Sequence, residues 1–436
     1  QKEARSWVKM NNLIAQVRLA KEAALKLASI GEKAKNSALA YLAESIKENK
    51  NGIIKENKKD VEKAEANNLN ESLIERLILN EKKIDEIVEI IETVKKLKDP
   101  IGKITEKTEL DKNLILEKIT MPIGLIGAIF ESRPDAAIQI SSLCIKSGNA
   151  VILKPGSEAI NTNKMLVKLI KDSLKKANIP QESVQLIETR EEVREILKLH
   201  NYIDLIIPRG SNKFVKYIQE NTKIPVLGHS EGICHVYVDK DADISKAISI
   251  CFDAKCQYPA VCNAMETLLV HKDIAKKFLP LIAKKYREAK VELRGDKETR
   301  TVIEAKEATE EDWKKEYNGL ILSIKIVNNA DEAIAHINKY GSKHTDAIVT
   351  ENRKTAEKFL ALVDSSSVMH NCSTRFADGF RYGKGAEVGI STAKIHARGP
   401  VGLEGLAIYK YLLRGNGQIV DNYAKGKKKF THKRIK

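Results

Sequence analysis

The sequence predicts an α/β protein of more than one domain: a doubly wound parallel sheet, a second α/β region, and a small β-rich arm. Three observations carry this reading. Between residues 126 and 235, short apolar runs alternate with amphipathic helical stretches, the pattern of a parallel sheet covered on both faces. From about residue 240 the alternation begins again. Two other β-rich stretches, LILEKIT at 114–120 and GLAIYKYLLRGNGQIV at 405–420, have few partners in either series and are expected to pair with each other or with another subunit.

In chain order, residues 5–97 place apolar residues three and four apart, as in SWVKMNNLIAQVRLAKEAALKLASI, and read as helices. Gly31 and the Asn-rich LNESL punctuate them, and DEIVEIIETVKKLKDP stops at Pro100. LILEKIT alternates and IGLIGAIF is a buried-strand run. NAVILK, VQLIET and IDLIIPRG read as strands, each followed by a helix, and IPVLG and ICHVYVD as further strands. In the second region DISKAISICFDAKC is helical, METLLVH a strand and IAKKFLPLIAKKYREA a helix. ILSIKIV, TDAIVTE and SSVMHN are strands separated by DEAIAHINKYG and KTAEKFLALV as helices. Right-handed crossovers make the first series doubly wound, an architecture that binds nucleotides.

Composition narrows the class. A chain of 436 residues exceeds one small core and implies two or three domains. Hydrophobic content of 42% and charged content of 31% exclude a disordered or collagen-like chain. No apolar run approaches the roughly 18–20 residues of a membrane span, so no membrane partner is expected. The stretch QKEARSWVKM opens on Gln and not on Met, and has no apolar signal region, and the natural start is expected to lie upstream. Six scattered cysteines make no disulfide framework and fit a reducing, cytoplasmic setting. The net charge of +16 reads either as a lysine-rich surface or as a field attracting anionic ligands. With aromatics at 5%, stacking platforms for nucleic acid are not expected. The basic end, residues 425–436, reads as a frayed, solvated tail.

Chemistry gathers at strand ends. In IDLIIPRGSNKF, Gly210 and Ser211 turn a strand into a helix and offer free backbone N–H groups to a phosphate. VILKPGSEA is a similar junction, with Lys154 closing the strand and Ser157 opening the next helix. The chain has no G-x-G-x-x-G fingerprint. CFDAKCQYPAVCNAME holds Cys251, Cys256 and Cys262. Their spacing does not match paired Cys-x2–4-Cys ligands, so no metal site is expected. Cys251 falls at helix spacing as a small core residue, whereas Cys262 lies on a loop entering a strand and is a candidate nucleophile. Arg133 follows a buried strand, His344 heads another, and Asn371, Ser373, Thr374 and Arg375 follow a third. Several such groups together suggest an anion pocket.

The blocks MPIGLIGAIFESRPD, SGNAVILKPGSEA, DLIIPRGSNK, IPVLGHSEGICHVYVD, YPAVCNAMETLLVH, KYGSKHTDAIVTE, STRFADG and GAEVGISTAKIHARGPVGLEGL resemble, in order and over nearly the whole chain, the γ-glutamyl phosphate reductases of the aldehyde dehydrogenase superfamily. The resemblance implies an aldehyde dehydrogenase-like fold: a Rossmann-type cofactor domain at 1–106 and 126–235, a catalytic domain at 236–395, oligomerisation strands at 107–125 and 396–424, and a tail at 425–436. It implies reduction of L-glutamyl 5-phosphate to glutamate 5-semialdehyde and phosphate with NADPH, in proline biosynthesis. Cys262 would attack the acyl phosphate and carry a thioester, and Arg133 would serve the carbonyl or the phosphate. Oxidising relatives carry a base glutamate near the place of Gly228; Glu231 is close by in this chain. Lys154, Ser157, Gly210, Ser211 and Glu316 match cofactor positions. Ser157 stands where NAD-preferring relatives have a ribose-binding glutamate, which favours NADP(H), with Glu158 one step on. His344, Asn371, Ser373, Thr374 and Arg375 match substrate positions, with Arg375 for the α-carboxylate. A homo-oligomer, and glutamate 5-kinase as pathway partner or fused domain, are implied too. The alternative is another oxidoreductase of the superfamily acting on a small aldehyde.

Overall fold

The structure, a computed structural model, describes residues 2–131, 133–188, 190–229 and 231–435, with side chains from Met10 onward except at 72, 190 and 191. The chain opens with helices α1 (Lys2–Leu27), α2 (Glu32–Glu48), α3 (Lys50–Ala66), α4 (Glu71–Leu77) and α5 (Glu81–Lys96). α5 shows why the pattern was readable. Asn80 caps it by accepting from the Lys83 amide at 2.9 Å, and Ile84, Ile87, Val88, Ile91 and Val94 form one buried stripe.

Strands β1 (Ile104–Asp111) and β2 (Leu114–Pro122) form a hairpin whose two-residue turn sets Asn113 at φ 60. Then come β3 (Leu125–Phe130), α6 (Pro134–Lys146), β4 (Ala150–Lys154), α7 (Ile160–Lys176), β5 (Val184–Leu186), α8 (Arg190–Ile196), β6 (Leu205–Arg209) and α9 (Asn212–Glu220). The four strands pair in parallel in the order β5-β4-β3-β6. Ile126, Ala128 and Phe130 of β3 face the core shared with α2, α5, α6 and α7. Leu125 and Ile129 face the one shared with α1, α8 and α9. Both faces are covered, which is why β3 reads as an unbroken apolar run. The chain winds outward on one side of β3 and returns to the other, so a crevice opens at the C-terminal ends of β3 and β6.

The second sheet is all parallel, in the order β10-β9-β11-β8-β7-β12-β13. Its strands are β7 (Cys234–Val238), β8 (Met265–His271), β9 (Glu292–Gly295), β10 (Lys306–Glu307), β11 (Ile321–Val327), β12 (Thr345–Val349) and β13 (Ser367–His370). Helices α10 (Ile244–Cys256) and α11 (Lys272–Glu288) cover one face. β7 pairs with β8 and β12, so the expected domain boundary at 235/236 falls inside this strand. A two-stranded piece, β14 (Gly389–Ser391) and β15 (Gly399–Val401), follows.

Two sequence expectations differ from the structure. IPVLG forms one isolated bridge, Val226 with Ile206, instead of a strand. Pro225 has no N–H to donate, so the segment docks on β6 without extending a ladder. The terminal residues are not frayed. β16 (Ala407–Arg414) pairs with β2, and β17 (Lys433–Ile435) pairs with β1, closing a four-stranded arm ordered β16-β2-β1-β17. The basic tail is held because Asp111 accepts from the Tyr423 hydroxyl at 2.8 Å and pairs with Lys428 at 3.4 Å. Among the described residues no helix is long and apolar enough to cross a membrane.

Candidate active site in the crevice between the two sheets

Cys262 lies in the loop 257–264 joining α10 to β8. Three ties fix that loop. At its base Lys255 and Glu266 form a buried ion pair at 2.6 Å, both essentially inaccessible. Burial pushes the Glu266 carboxyl up to about 7 against the pull of Lys255. Beside the thiol, Asn263 donates to the Ala377 carbonyl at 2.8 Å, and the Cys262 carbonyl accepts from the Cys234 thiol at 3.2 Å. At the near end, Gln257 accepts from Arg375 Nε at 2.9 Å. The thiol of Cys262 is half-buried at the wall of a cavity of about 870 Å³. The other two cysteines of the motif differ in setting. Cys251 is fully buried in the α10 core, and burial pushes Cys256 up to about 11. Neither is poised to ionise at neutral pH.

Gly232 explains how close the framework comes. A Cβ there would lie 2.2 Å from the Cys262 carbonyl oxygen and 2.6 Å from its Cα. Gly232→Ala therefore displaces the nucleophile's backbone. We expect kcat to fall about 10²-fold, the effect of an ångström of misplacement, with the melting temperature much less affected. Wild-type kcat in this variant contradicts the packing.

Cations line the same cavity. Arg209, the last residue of β6, was missed at sequence level although its strand was read; an arginine closing a buried strand was the available signal. It is half-buried and donates from Nη1 to Gln139 Oε1 at 3.2 Å. Burial, and next the positive field of Arg133, bring its guanidinium down to about 10. It stays charged at neutral pH, in a place where a second positive charge is already close. Arg133 stands at the N-cap position of α6, without a side-chain capping bond, and pairs with Asp135 at 2.7 Å. Glu387 lines the cavity and accepts from the Gly379 amide at 2.8 Å, and burial raises its carboxyl.

The expected cofactor residues sit along the strand ends. Lys154 and Ser157 line a second cavity of about 330 Å³ beside Phe130, with Arg194 of α8 at its wall. Glu158 lines both cavities and turns its carboxylate back over Gly156, where a Cβ would stand 2.0 Å from Oε1. Gly210 and Ser211 form the turn into α9, and the Ser211 amide donates to Glu131 Oε2 at 3.1 Å. A carboxylate oxygen thus already occupies the helix N-terminus, a position that suits a phosphate oxygen. Glu316 reaches across from the second sheet and accepts from Asn212 Nδ2 at 2.7 Å.

Of the expected substrate residues, Arg375 is buried against Gln257 and Ser373 accepts from its amide at 3.2 Å. The Thr374 hydroxyl is buried with no hydrogen-bond partner among the described residues. Asn371 exchanges hydrogen bonds with the Thr350 backbone, both at 3.0 Å, and does not line the cavity. His344 is fully buried behind Cys262. Its ring meets that of His229 edge to face, with centroids 4.8 Å apart. Glu231 is exposed and does not line the cavity.

Residues 9–311 match the model of the aldehyde dehydrogenase family. A γ-glutamyl phosphate reductase of Methanococcoides burtonii is 56% identical over 428 residues, 95% of each chain. One of Pelotomaculum thermopropionicum is 55% identical over 426 residues, 98% of each chain. The solved γ-glutamyl phosphate reductase of Thermotoga maritima superposes with a TM-score of 0.92 at 43% identity, covering 93% of this chain and 99% of that one. A glyceraldehyde-3-phosphate dehydrogenase of Methanocaldococcus jannaschii, complexed with NADP, shares the fold with a TM-score of 0.66 at 18% identity, over 93% and 95% of the two chains. A nicotinamide dinucleotide meets suitable chemistry here: a helix N-terminus already holding a carboxylate, two cations, and the cross-domain Glu316.

Proposed function

This chain belongs to the aldehyde dehydrogenase family and, within it, to the γ-glutamyl phosphate reductases, and on that premise we propose that Cys262 carries the acyl group as a thioester and that the reductant is NADPH. The chain is an oxidoreductase of proline biosynthesis that reduces L-glutamyl 5-phosphate to glutamate 5-semialdehyde and phosphate. The observation that carries the mechanism is the anchored, half-buried thiol facing two arginines.

In this reading the Cys262 thiolate attacks the acyl carbon, the C–S bond forms and the C–O bond to phosphate breaks. Arg209 and Arg133 neutralise the departing phosphate, whose two negative charges relieve the repulsion between the guanidiniums. NADPH, when bound, supplies the hydride that reduces the thioester carbon. Cys262 then leaves as thiolate, releasing the aldehyde. Arg375 is the proposed partner of the substrate α-carboxylate. His344 and Asn371 support the pocket from behind, and Ser373 and Thr374 shape the turn that presents Arg375.

The test is the reverse reaction. Glutamate 5-semialdehyde and NADP should turn over only when phosphate is supplied. Equal turnover with water alone would favour an aldehyde-oxidising relative. At the cofactor, Lys154 and Arg194 favour a 2′-phosphate and Glu158 opposes it. Arg194→Ala is expected to raise KM for NADPH about tenfold, one charge-assisted contact, and to leave KM for NADH unchanged. Parallel changes for both cofactors would remove Arg194 from that role. For assembly we propose a homo-oligomer through β16, an edge strand presenting Tyr409, Tyr411 and Leu413, each more than half exposed. Glutamate 5-kinase is the proposed source of the acyl phosphate, and a cytoplasmic setting fits the free thiols.

A further inference from the structure

We infer that Cys262, His229 and His344 form a binding site for one soft divalent cation of the Zn²⁺ type, which reversibly shuts down the nucleophile. Cys262 Sγ and one ring nitrogen of each histidine lie within 4.8 Å of one another. The three residues come from separate segments of the chain, so the cysteine spacing that excludes a zinc motif in the sequence gave no sign of them.

The two imidazoles are set as ligating histidines are. His229 Nδ1 faces the Ile390 carbonyl at 2.9 Å, which can only accept; the ring must be protonated there, leaving the Nε2 lone pair free. His344 Nδ1 faces the Thr345 hydroxyl at 2.8 Å, and its Nε2 is buried with no hydrogen-bond partner among the described residues. The carbonyl fixes the tautomer of His229 and raises the basicity of its other nitrogen, while the Thr345 hydroxyl, able to accept as well as donate, lets His344 present its Nε2 lone pair. A fully buried imidazole nitrogen without a partner is costly to leave unmet, and a cation meets it.

The site is inducible, not resident. Zinc binds nitrogen at about 2.0–2.1 Å and sulfur at about 2.3 Å, which brings ligand atoms to about 3.5 Å apart. Closing from the observed separations asks about 1 Å of motion. Cys262 supplies it by rotating about its Cα–Cβ bond, being half-buried on a loop beside the open cavity. The thiol proton passes to solvent as the metal–sulfur bond forms, and no redox change occurs. The sulfur lone pair is then held on the metal and cannot attack an acyl carbon. A fourth position faces the cavity for water or a substrate oxygen. Hard cations such as Mg²⁺ prefer oxygen ligands and have little claim on this set. Metal uptake requires only one thiol and two imidazoles, so it holds or fails independently of the substrate reading.

The experiment is a Zn²⁺ titration of metal-free protein against a chromophoric chelator, with Co²⁺ as optical probe. The expected result is one equivalent of Zn²⁺ bound, and a thiolate-to-cobalt charge-transfer band. Cys262→Ser should abolish the band, and His229→Asn should weaken Zn²⁺ binding at least about 10²-fold. His344→Gln should do the same; circular dichroism identifies a misfolded product, and His229→Asn then decides alone. Activity should be lost with Zn²⁺, be unaffected by equimolar Mg²⁺, and return fully with EDTA. Zinc affinity unchanged in Cys262→Ser or His229→Asn, absence of a stoichiometric site, or inhibition that EDTA does not reverse each overturns the inference.

Discussion

Replacing Cys262 with alanine is expected to lower kcat by at least about 10³-fold, because it removes the one thiol that lines the cavity among the described residues, and a thiolate is both a strong nucleophile and a good leaving group. The fold should be indifferent to the change. The side chain is half-buried, and the loop is held by its backbone, by Asn263 and by the Lys255–Glu266 pair at its base. Dinucleotide affinity should be unchanged, since Ser211, Lys154 and Glu316 lie on other elements. Cys251→Ala is the matched control. It removes a buried thiol from the α10 core, so it is expected to destabilise the protein by about 1 kcal/mol with kcat retained. Steady-state assay and thermal melting of both variants separate the chemical role from packing. Measurable wild-type turnover by Cys262→Ala refutes the nucleophile assignment.

The second large effect is expected at Arg209. Arg209→Ala should lower kcat/KM for the acyl phosphate by about 10²–10³-fold, the scale of a lost charge-stabilising donor in a water-poor site. Arg209 is freer than Arg133 to meet an anion, since Arg133 already pairs with Asp135 while Arg209 donates to the neutral Gln139. In the reverse direction KM for phosphate should rise while KM for the aldehyde moves little. Arg209→Lys restores the charge without the planar fork, so partial recovery is expected. Equal effects on aldehyde and phosphate would mean that Arg209 only holds the fold at the crevice.

The strands and helices were legible where local pattern decides them. METLLVH and ILSIKIV coincide with β8 and β11 because each is buried on both faces and bounded by turns. α10 begins at its Asp243 cap, whose carboxylate accepts from the Lys246 amide at 2.8 Å. Cys262 was legible as a loop thiol, and family resemblance pointed to its chemistry. What escaped depends on contacts distant in sequence. β9 and β10 are too short and too polar to read alone. The tail looked solvated because its partner, β1, lies more than three hundred residues away. Arg209 was hidden in a motif valued for its glycine, and His229 in a block read for a glutamate it lacks. Their meeting with Cys262 is a product of the crevice between two sheets.

The most direct measurement is the intact mass of the protein after mixing with glutamate 5-semialdehyde and NADP in the absence of phosphate. The account predicts a gain of one glutamyl group, mapped to Cys262 by peptide analysis and discharged on adding phosphate. An unmodified Cys262 in protein that then turns over with phosphate, or an adduct on any other residue, would contradict it.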